Sequence, residues 1–290
     1  MTEQWLTYLA NQGRSESTIK QYRRGLHHFI RWSEQSYGQP FCPTAIIPRD
    51  VTDWISYQQT VERAKPATIN QRLSALSQFF RWCLDNGHAK KDPTSGVSAL
   101  RQAKRRPKAL SKKYTRRLLR QVYQEENLRD NALIELLLGT GLRVSEALAL
   151  TLADIELNER SGQVTVRRGK GGHQRTVPLT ANVRKALNDY FDSIPLTDGE
   201  MPIWNGQRGP LRTSAAVYKL LKNYAFRAGL DPDLITPHVC RHTFATRFLE
   251  NNPGDLRTLA AILGHGSLDT VMIYTEPTVS DLAERLERAA

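Results

Sequence analysis

Apolar residues in the first hundred positions recur at close to a helical period, which predicts a set of amphipathic helices. Ser17-Thr18 opens one such pattern. Ile19, Tyr22, Leu26, Phe29, Ile30 and Trp32 fall on one side, with Lys20, Arg23, Arg24 and Arg31 mostly on the other. A second helix is expected over 51–60, carrying Trp54, Ile55 and Tyr57. A third follows Pro66, with Ile69, Leu73, Leu76, Phe79, Phe80 and Leu84 inside, and Asn86-Gly87 stops it. Four of the five tryptophans lie before residue 83, so this region reads as a small helical bundle with its own core.

The pattern changes further along. Residues 118–122 and 131–138 are helical. The second stretch is nearly all apolar, which predicts a buried helix, and it breaks at Gly139-Thr140-Gly141. A new helix then starts at Arg143. Residues 163–168 alternate and are rich in valine, Gly169-Lys170-Gly171-Gly172 is a turn, and 174–178 returns, giving a β-hairpin with Lys170 at its tip. Residues 181–190 and 214–228 are helices whose apolar spacing speaks only of core. Thr236 is an N-cap and Pro237 a first helical residue, with Phe244, Ala245 and Phe248 on the core side. An apolar helix over 256–263 closes at Gly264. Ser267 caps a short helix carrying Val271 and Tyr274, and 278–290 is amphipathic through Leu282, Ala283, Leu286 and Ala289. The expected fold class is mainly α with a small antiparallel β-sheet (α+β).

Length and charge divide the chain. At 290 residues two domains are the natural organisation, and 40% hydrophobic content suffices for a core in each. Residues 1–113 hold 19 Lys and Arg against 8 Asp and Glu, whereas 114–290 hold 22 against 21. The overall charge of +12 therefore resides almost wholly in the first part, and it points to a polyanionic partner. Residues 97–113 contain Arg101, Lys104, Arg105, Arg106, Lys108, Lys112 and Lys113 without an acid, and Pro107 interrupts any helix. The expected organisation is a helical domain over 1–96, a basic linker over 97–113 and a second domain over 114–290. Arg63, Lys65, Arg72 and Arg81 lie between core positions of the first domain. Arg72 and Arg81, with Lys104, Arg105 and Arg106 of the linker, are candidate DNA contacts, chiefly to phosphates. Cys42, Cys83 and Cys240 form no metal-binding spacing and suit a reducing compartment. No apolar run reaches membrane length and no secretory leader is evident, so the expected protein is soluble and cytoplasmic.

The candidate chemistry lies in the second domain. Arg143 at a helix N-terminus favours an anion, and Glu146 one turn on can orient its guanidinium, although a surface ion pair has the same spacing. Lys170 is either an idle turn lysine or a mobile ammonium able to protonate a leaving oxygen. His238 and Arg241, three apart, share a helix face and can donate to one phosphate. His242 lies off that face and reads as a buried or capping histidine. His265 follows the glycine break, and Tyr274 comes nine residues later. A lone tyrosine there is a packing residue; in this company it is a candidate nucleophile.

Three stretches carry a family resemblance: Thr140-Gly141-Leu142-Arg143-Val144-Ser145-Glu146-Ala147-Leu148, His238-Val239-Cys240-Arg241-His242-Thr243-Phe244-Ala245-Thr246, and Leu263-Gly264-His265-Gly266-Ser267 with Tyr274. Together they resemble the tyrosine recombinase (lambda-integrase-like) family across the whole C-terminal domain. The resemblance implies a core-DNA-binding domain followed by a catalytic domain, in a compact form similar to Xer recombinases and transposon integrases. It implies that Tyr274 attacks the scissile phosphate to form a 3′-phosphotyrosyl bond, that Arg143 and Arg241 hold the non-bridging oxygens, and that Lys170 is the general acid. It further implies that His238 assists proton transfer at the nucleophile and that His265 donates to the phosphate. No cofactor is expected: the covalent intermediate conserves bond energy, and no Walker A motif is present. The implied partners are double-stranded DNA with an inverted-repeat core site, three further copies of the chain in a tetramer linked by the C-terminal segment, and accessory DNA-bending or regulatory proteins. Recombination through a Holliday junction is the leading reading. Strand cleavage of the type IB topoisomerase kind, without site preference, is the alternative, and a non-catalytic DNA-binding protein fits less well because all six residues are present.

Overall fold

The computed structural model describes residues 1–101, 109–167, 174–195, 198–206, 209–264, 269–272 and 287. The chain divides into two units, Met1–Lys104 and Arg105–Ala290.

The N-terminal unit is four helices: α1 (Thr2–Asn11), α2 (Glu16–Tyr37), α3 (Pro48–Thr60) and α4 (Pro66–Asp85). The Ser15 hydroxyl accepts from the Thr18 N–H at 3.3 Å and starts α2, and left-handed Gly38 ends it. α3 begins three residues before the apolar pattern does. Pro48 supplies a preset first residue, and the Asp50 carboxylate caps the entry by accepting from the Ile47 N–H at 2.9 Å. The period gave no warning of α1, yet its Trp5, Leu6 and Leu9 are buried, with Trp5 stacked on Tyr22 and edge-on to Phe79. Trp5, Trp32, Trp54 and Trp82 all belong to the core, as expected. Leu84 does not: it is exposed, because Cys83 takes the inward position of the last turn of α4. α2 and α4 approach closely where Gly25 faces Ala75. A Cβ on residue 25 would stand 2.9 Å from that of Ala75 and 3.3 Å from the Arg72 Cα.

The two ends of the expected 97–113 linker are ordered parts of the units they adjoin. Val97 and Leu100 pack on the N-terminal core, and the Asn70 side chain pairs with both backbone groups of Leu100 at 2.8 Å. On the far side Ser111 caps the next helix, which takes in Lys112 and Lys113. Residues 102–108, with Lys104, Arg105 and Arg106, lie outside the described residues.

The C-terminal unit runs α5 (Lys112–Gln124), α6 (Leu128–Thr140), α7 (Val144–Leu148), β1 (Ile155–Leu157), β2 (Gly162–Val166), β3 (Arg175–Pro178), α8 (Ala181–Phe191), β4 (Asn205–Gly206), β5 (Gly209–Pro210), α9 (Ser214–Arg227), α10 (Pro237–Asn251), α11 (Leu256–Leu263) and α12 (Asp269–Met272). Residues 130–138 of α6 are buried without exception, as a mostly apolar helix requires, with Asp130 bonded by Tyr224 and Glu135 by Tyr123. α5, α8 and α10 pack around it. The sheet order is β1-β2-β3, antiparallel throughout, with Val164 opposite Val177 and Val166 opposite Arg175. β1 was not anticipated, being too short to show a period. The chain enters this unit at a fixed point: the buried Leu110 N–H donates to the Thr243 hydroxyl of α10 at 2.9 Å, and that hydroxyl donates to the Val239 carbonyl at 2.7 Å. The fold class is as expected, mostly helical with a small antiparallel sheet.

Gly25→Leu, which overfills the α2–α4 contact, is expected to destabilise the N-terminal unit by about 1–3 kcal/mol. The measurement is a lower urea midpoint at unchanged m.

Candidate active site

A helix leaves its last carbonyls without intrahelical partners, and its C-terminal end attracts cations. α11 ends at Gly264, which takes the left-handed conformation (φ 64°). Its last two carbonyls are met by three arginines from three different elements. Arg241 of α10 donates from Nη2 to the Leu263 carbonyl and from Nη1 to the Gly141 carbonyl, both at 2.8 Å. Arg143, the N-cap of α7, approaches the same Leu263 carbonyl with Nη1 at 3.5 Å. Arg175 of β3 donates from Nε to the Ile262 carbonyl at 2.8 Å.

Local sequence explains why these groups meet. α6 stops at Gly141 in the left-handed region (φ 64°), and a Cβ there would lie 2.4 Å from the Phe244 ring and 2.9 Å from Leu263 Cδ2. The glycine therefore lets α10 and α11 close onto the end of α6 and points the chain into Arg143. The Thr236 hydroxyl accepts from the Val239 N–H at 3.2 Å, setting the start of α10 and hence the depth of Arg241, which is 5% exposed. His238 stands exposed in the first turn of α10, one turn before Arg241. His242 is half-buried, as its position off that face suggested. Burial, with the nearby charges of His238 and Arg241, pushes its pKa down.

Glu146 is the buried counter-charge. It accepts from the Arg143 backbone N–H at 2.9 Å and from Arg143 Nη1 at 2.7 Å, and from Arg175 Nη1 and Nη2 at 3.1 and 2.7 Å. Burial pushes its pKa up, but the Arg175 and Arg143 donors outweigh this and hold the carboxyl below the usual range. Two of the three guanidiniums thus share one carboxylate, while Arg241 donates to the two carbonyls, so the cluster holds surplus positive charge. Arg143 is the partly open member, its side chain 25% exposed, and its Nε and Nη2 have no hydrogen-bond partner among the described residues. Such an array suits a bound phosphate and, more strongly, a phosphoryl group gaining charge in a transition state.

Of the six expected catalytic residues, Arg143 and Arg241 are brought together on one carbonyl and His238 lies on the same helix as Arg241. Lys170, His265 and Tyr274 fall outside the described residues. The strands that flank Lys170 are both anchored: Arg167, just after β2, pairs with the Asp154 carboxylate at 2.5 Å, and Arg175 begins β3. Arg175 itself was passed over in sequence. The available signal was period two, which sets it on the same strand face as buried Val177, where an arginine must find an acceptor. In the N-terminal unit a groove of about 550 Å³ between α2 and α4 is lined by Lys20, Gln21, Arg24, Gln71 and Arg72, among others. Arg72 Nη1 also donates to Glu62 at 2.7 Å and Gln58 at 2.9 Å, while Arg81 is exposed.

Comparison with known proteins fits this arrangement. Residues 108–280 match the family described as "Phage integrase family", and residues 1–89 match "Phage integrase, N-terminal SAM-like domain". Tyrosine recombinase XerD of Xanthomonas campestris pv. campestris is 36% identical over 281 residues, covering 92% of this chain and 84% of the relative. Tyrosine recombinase XerC of Rhizobium meliloti is 35% identical over 302 residues, covering 98% and 91%. Among solved structures, XerH site-specific recombinase bound to palindromic difH substrate shares the fold with a TM-score of 0.76 at 24% identity, covering 93% of this chain and 78% of that one. The chain belongs to the phage integrase family of tyrosine recombinases. It is an enzyme of site-specific recombination, and the topoisomerase alternative finds no support among these matches.

Glu146→Gln leaves the buried guanidiniums without their counter-charge and is expected to cost about 3–5 kcal/mol at neutral pH. Because the folded carboxyl has a depressed pKa, its contribution is complete above the unfolded value and lost as pH falls through the folded one. The Tm difference between wild type and Glu146→Gln, followed from neutral pH to below pH ~4, the unfolded carboxylate range, should therefore narrow on acidification.

Proposed function

We propose that this chain recombines DNA by cutting and rejoining strands at specific sites through a covalent 3′-phosphotyrosyl intermediate. The observation that carries this reading is the convergence of Arg143 and Arg241 on the Leu263 carbonyl, two residues before His265. Tyr274 attacks the scissile phosphorus and the 5′-oxygen leaves. Arg143 and Arg241 neutralise the non-bridging oxygens as charge builds on them. Lys170, which lies between β2 and β3 in the sequence, protonates the leaving 5′-oxygen. His238 takes part in proton transfer at the tyrosine, and His265 donates to the phosphate. The protein contributes placement and charge stabilisation, and the phosphotyrosyl bond stores the energy for religation.

The division of labour follows the charge. The helical unit and the basic residues after it, including Lys104, Arg105 and Arg106, hold the duplex through its phosphates, with the groove beside Arg72 among the contact surfaces. The catalytic unit acts on one phosphate. Four copies on two inverted-repeat sites, joined head to tail by residues 278–290, exchange strands through a Holliday junction in the cytoplasm.

Covalent trapping tests the reading. Wild-type protein is incubated with duplexes drawn from DNA around its own gene, quenched with SDS, and the attached DNA is sequenced. An adduct at one short inverted-repeat site is expected. It should be absent with Tyr274→Phe and slowed about 10²–10³-fold with Arg143→Ala or Arg241→Ala. Adducts that persist with Tyr274→Phe would remove that residue as the nucleophile, and adducts scattered over unrelated sequences would favour topoisomerase-like cleavage.

A further inference from the structure

The catalytic roles above leave Arg175 unassigned, although its side chain ties its own strand to two other elements. From β3 its Nε donates to the Ile262 carbonyl at the end of α11, and its two terminal nitrogens fork onto Glu146 of α7. The side chain is 11% exposed. Gly264 lies flat against it: a Cβ there would stand 2.7 Å from Nη1, 2.9 Å from Cζ and 3.0 Å from Nε. The guanidinium thus fills the space beneath the backbone that leads into His265.

The electrostatic consequence falls on Arg143. A buried carboxylate draws in whatever cation can satisfy it, because an uncompensated buried charge is costly. Arg175 supplies a two-point contact to Glu146, so the carboxylate needs only one side-chain N–H from Arg143, given by Nη1, together with the Arg143 backbone N–H. The Nε and Nη2 of Arg143 stay uncommitted among the described residues. Without Arg175, Arg143 is the guanidinium left to Glu146, and its favoured geometry is the bidentate fork that turns it away from a substrate. The same loss frees the Ile262 carbonyl and loosens the helix end where Arg143 and Arg241 meet.

We propose that Arg175 is a positioning residue of the recombination site: it satisfies Glu146 and clamps the end of α11, so that Arg143 is presented to the scissile phosphate. This rests on the recombinase reading above and assigns Arg175 no contact with DNA.

The test uses full-length protein and the duplex recovered by wild-type trapping, with an ordinary phosphate or a neutral methylphosphonate at the scissile position. Adduct formation is followed in a single turnover. Arg175→Met removes the fork. Arg175→Lys keeps a charge beside Glu146, which protects the fold, but cannot span both acceptors. Both are expected to slow cleavage of the phosphate roughly 100-fold at saturating duplex, with the half-saturating concentration unchanged. On the methylphosphonate, which carries no charge for Arg143 to neutralise, the deficit should largely disappear. Wild-type rates on the phosphate, or an equal deficit on both substrates, would overturn the inference, the second because it marks general damage to the site. A wild-type protein that forms no adduct with any duplex overturns the recombinase reading and this inference together.

Discussion

Three guanidiniums crowd one helix end, and like charges so close repel unless each is held. α11 and Glu146 hold them. The terminal carbonyls of Ile262 and Leu263 accept from Arg175, Arg241 and Arg143, and the buried carboxylate bridges two of the three. This constraint reaches outward into the fold. It requires α11 to end where it does, α6 to stop at a left-handed glycine so that α10 can approach, and β3 to place an arginine where a strand would ordinarily place an aliphatic residue. The array is preorganised, since its orientation is fixed by folding and not by the ligand. Its residual positive charge is relieved when an anion arrives.

The two units solve different electrostatic problems. Residues 1–113 carry their charge in excess, 19 Lys and Arg against 8 Asp and Glu, a field that acts at a distance and weakens with salt. Residues 114–290, with 22 Lys and Arg against 21 Asp and Glu, are nearly neutral in sum and obtain their positive site by placement. Within the N-terminal unit some polar side chains are also fixed internally. The Trp54 indole donates to His28 Nδ1 at 3.0 Å, which leaves Nε2 to donate to Glu62 at 2.7 Å, and Glu62 in turn accepts from Arg72. Arg72 therefore meets the groove between α2 and α4 from a braced position.

Much of the architecture was legible in the sequence because its signals are local. Helical period marked α2, α4 and the buried α6. Glycines marked where α6 and α11 stop, and the Thr236-Pro237 pair marked the start of α10. Arg143 with Glu146, and His238 with Arg241, were visible because each pair lies within one helical turn. What escaped was non-local or too short. α1 shows its purpose only when Trp5 meets Tyr22 and Phe79, and β1 is three residues long. The ends of the basic linker are ordered by Asn70 and by the cap at Ser111, which charge counting does not register. Arg175 looked like one more cation on an alternating strand, because its partners lie 29 and 87 residues away along the chain.

The entry of the chain into the catalytic unit has a mechanical meaning. The Leu110 amide is moored to the Thr243 hydroxyl, and that hydroxyl is tied in turn to Val239, so the mooring spans one turn of the helix that bears His238 and Arg241. Force drawn along the polypeptide at this point is not dissipated in a slack loop. It is delivered to α10, the helix that carries the buried Arg241, as tension on a rope is delivered to the cleat. The backbone at Leu110 and the first turns of α10 are thereby one mechanical piece.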